Sequence, residues 1–380
     1  MKPDYAGGGL VNLMASIVAG RGGAPRHRLL SSLPTRDISG ARNLVLLIID
    51  GLGDRYLQRR GAGGELARRR RAAITSVFPP TTASAITTSY TGCTPLEHGL
   101  TGWYTYFGAA GCVSAALPFK SRGDLLPLTA RGVTANEIFV EKSLFGSLPV
   151  RSIVVTYKEI IDSEYNVRHC QGAERRAYET LDDLILQIER AVKSADEKKF
   201  IYAYWPQYDT ISHRFGSESA QAARELEQVD AAFGRLLARL SGSDTLVIAT
   251  ADHGFIDSAP EESLELPAFL ACQLRLPLCG ERRVAYCHVH DEKSFIETAK
   301  QWLGERADVR PSRELVEQGW FGPGAPHPSF AERVGEVALV MRGRYTIKDW
   351  TPGEARYLHI GNHGGTSEDE MMIPLITEAA

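Results

Sequence analysis

The stretch Asn43 to Ile49 (NLVLLII) is almost uninterruptedly apolar, the pattern of a central parallel strand covered on both faces. Asp50, Gly51, Leu52 and Gly53 close it. Shorter apolar runs predict further strands at Ala73–Phe78, Val150–Tyr157, Lys199–Tyr204 and Asp244–Thr250, and Met371–Ile376 reads as a closing strand. Between them, Leu10–Ala19, Asp54–Arg71, Gly172–Ser194 and Ser217–Leu240 carry helical spacing. Residues 83 to 91 (ASAITTSYT) are small enough to pack closely as a helix, with Gly92 placed to end it. Strand-then-helix alternation predicts an α/β fold with a mostly parallel central sheet and helices on both faces.

From Ile256 to Tyr357 the texture changes. Short strands, Arg283–His288 and Glu336–Met341, alternate with helices such as Asp291–Gly304. This reads as a smaller α+β insertion, residues 256–357, within a core formed by 1–255 and 358–380. Thr94–Gly111, rich in glycine and aromatics, reads as a loop over the site. There is no internal repeat and no low-complexity tract.

Composition narrows the class. Of 380 residues, 43% are hydrophobic and 23% charged, which suits a globular chain with a large core. A net charge of −3 argues against a nucleic-acid polymer as partner. Arg68–Arg71, the densest positive run, reads as a solvated helix face. The six cysteines form no Cys-x-x-Cys pair, so they read as reduced thiols of a cytoplasmic protein. No stretch is apolar over a membrane-spanning length, and Leu10–Ala19 lacks the basic flank of a signal peptide.

Candidate chemistry gathers at predicted strand ends. Pro79 and Pro80 stop one strand, and Thr82 then falls at a helix N-terminus, suited to an N-cap and to nearby phosphate. Taken alone, Thr82 is better explained by capping, and only the rest of the chain reverses that. Asp50, Asp209 with His213, and Asp252 with His253 end three other strands, where open α/β sheets bind ligands. Asp209 and His213 share a helix face at a spacing of one turn, while Gly254 gives the Asp252–His253 turn its freedom. His363 lies in a glycine-rich loop. Carboxylate and imidazole together suit zinc, with manganese or iron as alternatives.

The segments LLIIDGLGD (46–54), FPPTTASAITTSYTG (78–92), EHGLTG (97–102), DTISH (209–213), ADHG (251–254), NHGG (362–365) and MMIPLI (371–376) follow in an order that resembles the alkaline phosphatase superfamily. More narrowly, they resemble the type I phosphodiesterase/nucleotide pyrophosphatase family. The resemblance spans almost the whole chain, the insertion being matched only by position. It implies one metal ion held by Asp209, His213 and His363, and a second held by Asp50, Asp252 and His253 that also touches Thr82. It selects Thr82 over Thr81 as nucleophile. The implied activity is two-metal hydrolysis of a small phosphoester through a phospho-threonine.

Two positions depart from the family. Ala83 stands where nucleotide-cleaving members carry an aromatic, and Trp103 where they carry a phosphate-binding asparagine. Trp103, Tyr104 and Tyr208 are the expected substrate walls, with Trp205 a further candidate. His98 is expected to fix its loop, and His288 and His290 to be structural. Alternatives on the same scaffold are a phosphomonoesterase, a phosphonate hydrolase or mutase. A sulfatase is disfavoured because Ala83–Ile86 lacks the required proline and arginine. A non-catalytic metal-binding protein is disfavoured by the full ligand set.

Overall fold

The computed structural model describes residues 1–380 and holds two seven-stranded sheets. The larger is built from β1 (Asn43–Ile49), β2 (Arg70–Thr75), β3 (Arg151–Tyr157), β4 (Ala173–Tyr178), β5 (Lys199–Trp205), β6 (Thr245–Thr250) and β7 (Met372–Ala379). Their order is β2–β7–β6–β1–β5–β3–β4. All pairings are parallel except those of β7, which runs antiparallel to β2 and β6. Every residue of β1, β5 and β6 is buried, as continuous apolar runs require. Alternate residues serve opposite faces. Tyr202 of β5 meets the helix Thr82–Thr91, its hydroxyl 2.9 Å from that of Ser89. Trp205 faces the other way and donates its indole N–H to Glu225 of the helix Ala220–Leu240 at 2.8 Å.

Register sets the site. Ile48 lies level with both Tyr204 and Thr250, so β1, β5 and β6 end together. Asp50, the turn into the helix Gln207–Phe215, and Asp252 therefore leave adjacent strand ends.

The second sheet is antiparallel, in the order 307–311, 337–341, 284–287, 279–280, 104–107, 112–115, 120–121. It draws its strands from two distant parts of the chain. The expected loop 94–111 contains the strand Tyr104–Phe107, whose Tyr104 pairs with Gly280. Its alternating burial and β-branched and aromatic residues are ordinary strand signals, obscured in the sequence by the flanking glycines.

Two more expectations shift. Gly172–Ser194 divides into edge strand β4 and a helix, Leu181–Lys193, capped by the Thr180 side chain. Edge strand β4 (AERRAY) is polar because it faces solvent and pairs its charges outward, Arg151 with Glu174 and Arg175 with Asp162, so it mimics a helical face. Asp54–Arg71 becomes two short helices, Asp54–Arg60 and Glu65–Arg68, with β2 starting at Arg70. Arg70 is no free cation: its guanidinium donates to Asp54 at 2.9 Å. All six cysteines are unpaired, and no helix is long and apolar enough to cross a membrane.

A buried ion pair joins the second sheet to the loop after His363. Arg283 and Glu370 are 1% and 0% exposed and meet through two bonds of 3.0 Å. Glu370 also accepts from the Gly365 N–H and the Ser367 hydroxyl, each at 2.7 Å. Arg283→Leu leaves that carboxylate buried and without its cation, which costs roughly 3–5 kcal/mol. A urea midpoint equal to that of the wild type would refute this.

Candidate active site

The helix Thr82–Thr91 begins after an extended Thr81, which is therefore the N-cap residue. Thr82, the expected cap, is instead the first helical residue, so the cap falls one position earlier than expected. Thr81 does not cap with its side chain; its hydroxyl donates to Glu281 Oε1 at 2.6 Å. The first intrahelical donor is Ala85, to the Thr81 carbonyl at 2.9 Å. The N–H groups of Thr82, Ala83 and Ser84 thus precede the helical ladder and present a positive end to an anion. The helix is buried along its whole length, which its small residues permit.

Around the Thr82 hydroxyl the structure brings together all six expected ligand residues. Thr82 Oγ1 lies 3.2 Å from His253 Nε2. That nitrogen is also 3.3 Å from Asp50 Oδ1, 3.5 Å from Asp252 Oδ2 and 3.9 Å from Asp209 Oδ1. Asp209 Oδ1 is in turn 3.4 Å from His213 Nε2 and 3.8 Å from His363 Nε2, and the two histidine nitrogens are 3.1 Å apart. Two triplets have mutually close donor atoms: Asp209 with His213 and His363, and Asp50 with Asp209 and His253. Asp209 belongs to both, so its Oδ1 stands between them.

Backbone contacts orient these groups. His253 Nδ1 lies 3.1 Å from the Gly254 carbonyl, and His213 Nδ1 lies 2.9 Å from the Gly361 carbonyl. A carbonyl only accepts, so each Nδ1 carries the proton and each Nε2 turns a bare lone pair inward. Asp252 Oδ1 accepts from the Gly51 and His253 N–H groups at 3.0 Å each. Asp50 Oδ2 accepts from the Tyr204 hydroxyl. The other oxygens, Asp50 Oδ1, Asp209 Oδ1 and Asp252 Oδ2, are buried with no hydrogen-bond partner.

Electrostatics follow from this crowding. Burial raises Asp50 to about 6, and burial with the Asp50 charge raises Asp252 to about 8. Asp209 is driven well above the carboxylate range by burial and by both other aspartates. Burial lowers His213 to about 3 and pushes His363 far down as well. Protons are thus pushed onto the acids and off the His213 and His363 imidazoles. Each carboxylate keeps a free oxygen and each oriented imidazole a free lone pair, a donor set that fits divalent cations.

A cavity of about 240 Å³ opens over Thr82, Asp209, His213 and His363. Trp103 and Tyr104 line it. Tyr208 does not: it is 1% exposed and packs on Tyr56 with ring centroids 5.6 Å apart. One residue along a helix turns a side chain by about 100°, so with Asp209 facing the cavity Tyr208 faces the core. Trp205 is excluded by the same alternation, lying on the opposite sheet face. His98 accepts from the Leu100 N–H at 3.1 Å and meets Thr88 at 3.2 Å, holding its loop. His288 meets the Glu332 carbonyl at 2.7 Å. Glu281, Arg282, Lys348 and His359 also line the cavity and were not singled out from sequence. They come from the insertion and the return segment, where no motif marks them. Tyr204, which supports Asp50, carried only the signal of ending a strand.

The model of the family described as type I phosphodiesterase / nucleotide pyrophosphatase matches residues 44–366. Comparison with curated proteins gives no match. Among solved structures, murine ectonucleotide pyrophosphatase/phosphodiesterase 5 is similar, with TM-score 0.66 at 16% identity over 89% of this chain and 88% of that one. An inactive variant of that murine protein in complex with AMP aligns with TM-score 0.65 at 16% identity over 87% of each chain. Phosphonoacetate hydrolase from Sinorhizobium meliloti 1021, in complex with phosphonoacetate, aligns with TM-score 0.64 at 15% identity over 89% of this chain and 90% of that one. At these identities the likeness is one of fold. The family match covers most of the chain, and the protein belongs to the type I phosphodiesterase/nucleotide pyrophosphatase family of phosphoester hydrolases.

Proposed function

We propose that this hydrolase uses two divalent cations and Thr82 as a covalent nucleophile on a small phosphoester. The observation that carries the reading is the set of three buried carboxylate oxygens, each without a partner, converging with the His253 and His213 lone pairs beside the Thr82 hydroxyl. Asp209, His213 and His363 would hold one cation, and Asp50, Asp252 and His253 the other with Thr82. Zinc suits the donors, with manganese or iron as alternatives. Bound cations would neutralise the carboxylates, acidify the Thr82 hydroxyl and polarise the phosphate oxygens.

The chain's own residues supply the rest. The helix end behind Thr82 offers N–H groups to the phosphoryl oxygens. Thr82 Oγ forms a bond to phosphorus as the bond to the leaving group breaks, and water then displaces Thr82. Gly254 and Gly361 keep His253 and His213 in the ligand-ready tautomer. Trp103 and Tyr104 form one wall of the substrate cavity, whose size suits a small molecule.

A phosphonate hydrolase or phosphomonoesterase is the second reading. It is favoured by Ala83, which offers no ring for a base to stack on, and by the fold shared with phosphonoacetate hydrolase. Reaction with bis-p-nitrophenyl phosphate against p-nitrophenyl phosphate separates diesterase from monoesterase, and release of phosphate from phosphonates identifies the third case.

Thr82→Ala should keep its metal by elemental analysis yet lose turnover by at least about a thousandfold. Full activity in that variant would remove Thr82 from the chemistry. Asp209→Asn should lower bound metal more than Thr82→Ala does, because Asp209 Oδ1 stands between both groups; an unchanged metal content would break the assignment. Saturating zinc should raise the thermal midpoint of the chelator-treated protein, by about 3 kcal/mol of stabilisation at a hundredfold excess over Kd. No shift would count against a cation-neutralised acid cluster.

A further inference from the structure

The cavity over Thr82 has walls of opposite charge, set by two consecutive residues, Glu281 and Arg282. Glu281 is engaged on the Thr82 side. Its Oε1 accepts from the Thr81 hydroxyl and from the Trp103 N–H, each at 2.6 Å. The other wall holds three cations, Arg122, Lys348 and Arg282, and two nearby carboxylates, Asp349 and Glu354. Arg122 pairs with Asp349 at 2.8 Å and Glu354 at 3.0 Å, and Lys348 pairs with Glu354 at 2.6 Å. Both carboxylates are thereby used.

Arg282 is left over. It makes no ion pair, and the one hydrogen bond of its guanidinium goes to the Tyr357 carbonyl at 3.2 Å. The guanidinium lies 5.9 Å from the Trp350 ring centre and 5.5 Å from that of Tyr357, contacts that orient a cation without neutralising it. Burial is the main influence on it and pulls its pKa below the usual arginine range, against the opposing pull of Tyr357, Tyr104, Glu281 and Glu354. A guanidinium has five donors in a fork shaped for carboxylate or phosphate, and here it lines the cavity with a single protein hydrogen bond. Lys348 adds a second cation beside it, 4.2 Å from the Trp350 ring centre.

We propose that Arg282, supported by Lys348, binds a second anionic group on the substrate, so that the enzyme acts on phosphoesters, phosphoanhydrides or phosphonates carrying a further carboxylate or phosphate. This rests on the reading that the reacting phosphorus sits at Thr82. The polarity of the cavity then sets the direction of binding: Glu281 repels a second anion from the nucleophile's wall, and Arg282 receives it on the other. The geometry makes Arg282 a specificity residue and gives it no part in bond breaking.

The test compares ligands that differ in the second charge. Phosphonoacetamide carries one anionic group, phosphonoacetate adds a carboxylate, and methylenediphosphonate adds a phosphonate. Calorimetric titration of the zinc-loaded Thr82→Ala protein, with and without Arg282→Gln, gives the affinity ratio of each two-anion ligand to the amide. Loss of a charge-assisted hydrogen bond should lower at least one ratio by about tenfold or more, with Arg282→Lys retaining part of it. The ligand showing the larger loss identifies carboxylate or phosphate as the preferred group. Ratios unchanged within twofold for both ligands, or an equal weakening of all three, would overturn the proposal. Because the ratio needs no turnover, a wild-type protein inert toward every phosphoester and phosphonate would end the hydrolase mechanism while leaving the Arg282 result standing.

Discussion

Three carboxylates in one dry crevice cannot all be ionised unless something positive joins them. Asp50, Asp209 and Asp252 meet within a few ångströms of His253 Nε2, and each holds one oxygen away from every protein donor. The fold imposes this. Three parallel strands end at one level, and their turns direct acids into the same space. Support from the Tyr204 hydroxyl and the Gly51 N–H reaches one oxygen of Asp50 and one of Asp252, and leaves the inward ones free. Such an arrangement is costly for the protein alone and becomes favourable with cations, so the core is built around groups it cannot itself satisfy.

The second sheet completes what the first begins. It supplies Tyr104 from one part of the chain and Glu281 and Arg282 from another, and these close the cavity over Thr82. The Arg283–Glu370 pair ties this sheet to the segment following His363, so the last imidazole is anchored from outside the main sheet. The acids thus leave the ends of the main sheet, His363 follows a short strand outside it, and much of the cavity lining comes from the antiparallel sheet. The fold is shared with solved structures of a protein bound to AMP and of one bound to phosphonoacetate.

Much of this was readable from residues. Strands β1, β5 and β6 stood out because strands buried on both faces are apolar at every position. Asp209 and His213 could be paired because a helix repeats its face every turn. The edge strand Ala173–Tyr178 escaped because an edge is polar and pairs its charges outward, which copies a helical face. Tyr104–Phe107 escaped because it is short and the glycines around it hid its aromatic and β-branched residues, although it pairs along its whole length with nearby Cys112–Ala115. Tyr208 was misplaced as a wall because neighbours on a helix point about 100° apart, so adjacency to Asp209 in sequence does not put it on the same face.

Sequence by itself determined the α/β class, the strand ends that carry acids, and the family, because these depend on periodicity and on short motifs whose order survives without neighbours. Tertiary structure alone decided that Asp209 stands between two donor groups, that Glu281 and Arg282 face each other's walls, and that Tyr208 belongs to the core. Those are relations across long loops and between two sheets, and the side-chain directions that settle them exist only after the chain has packed.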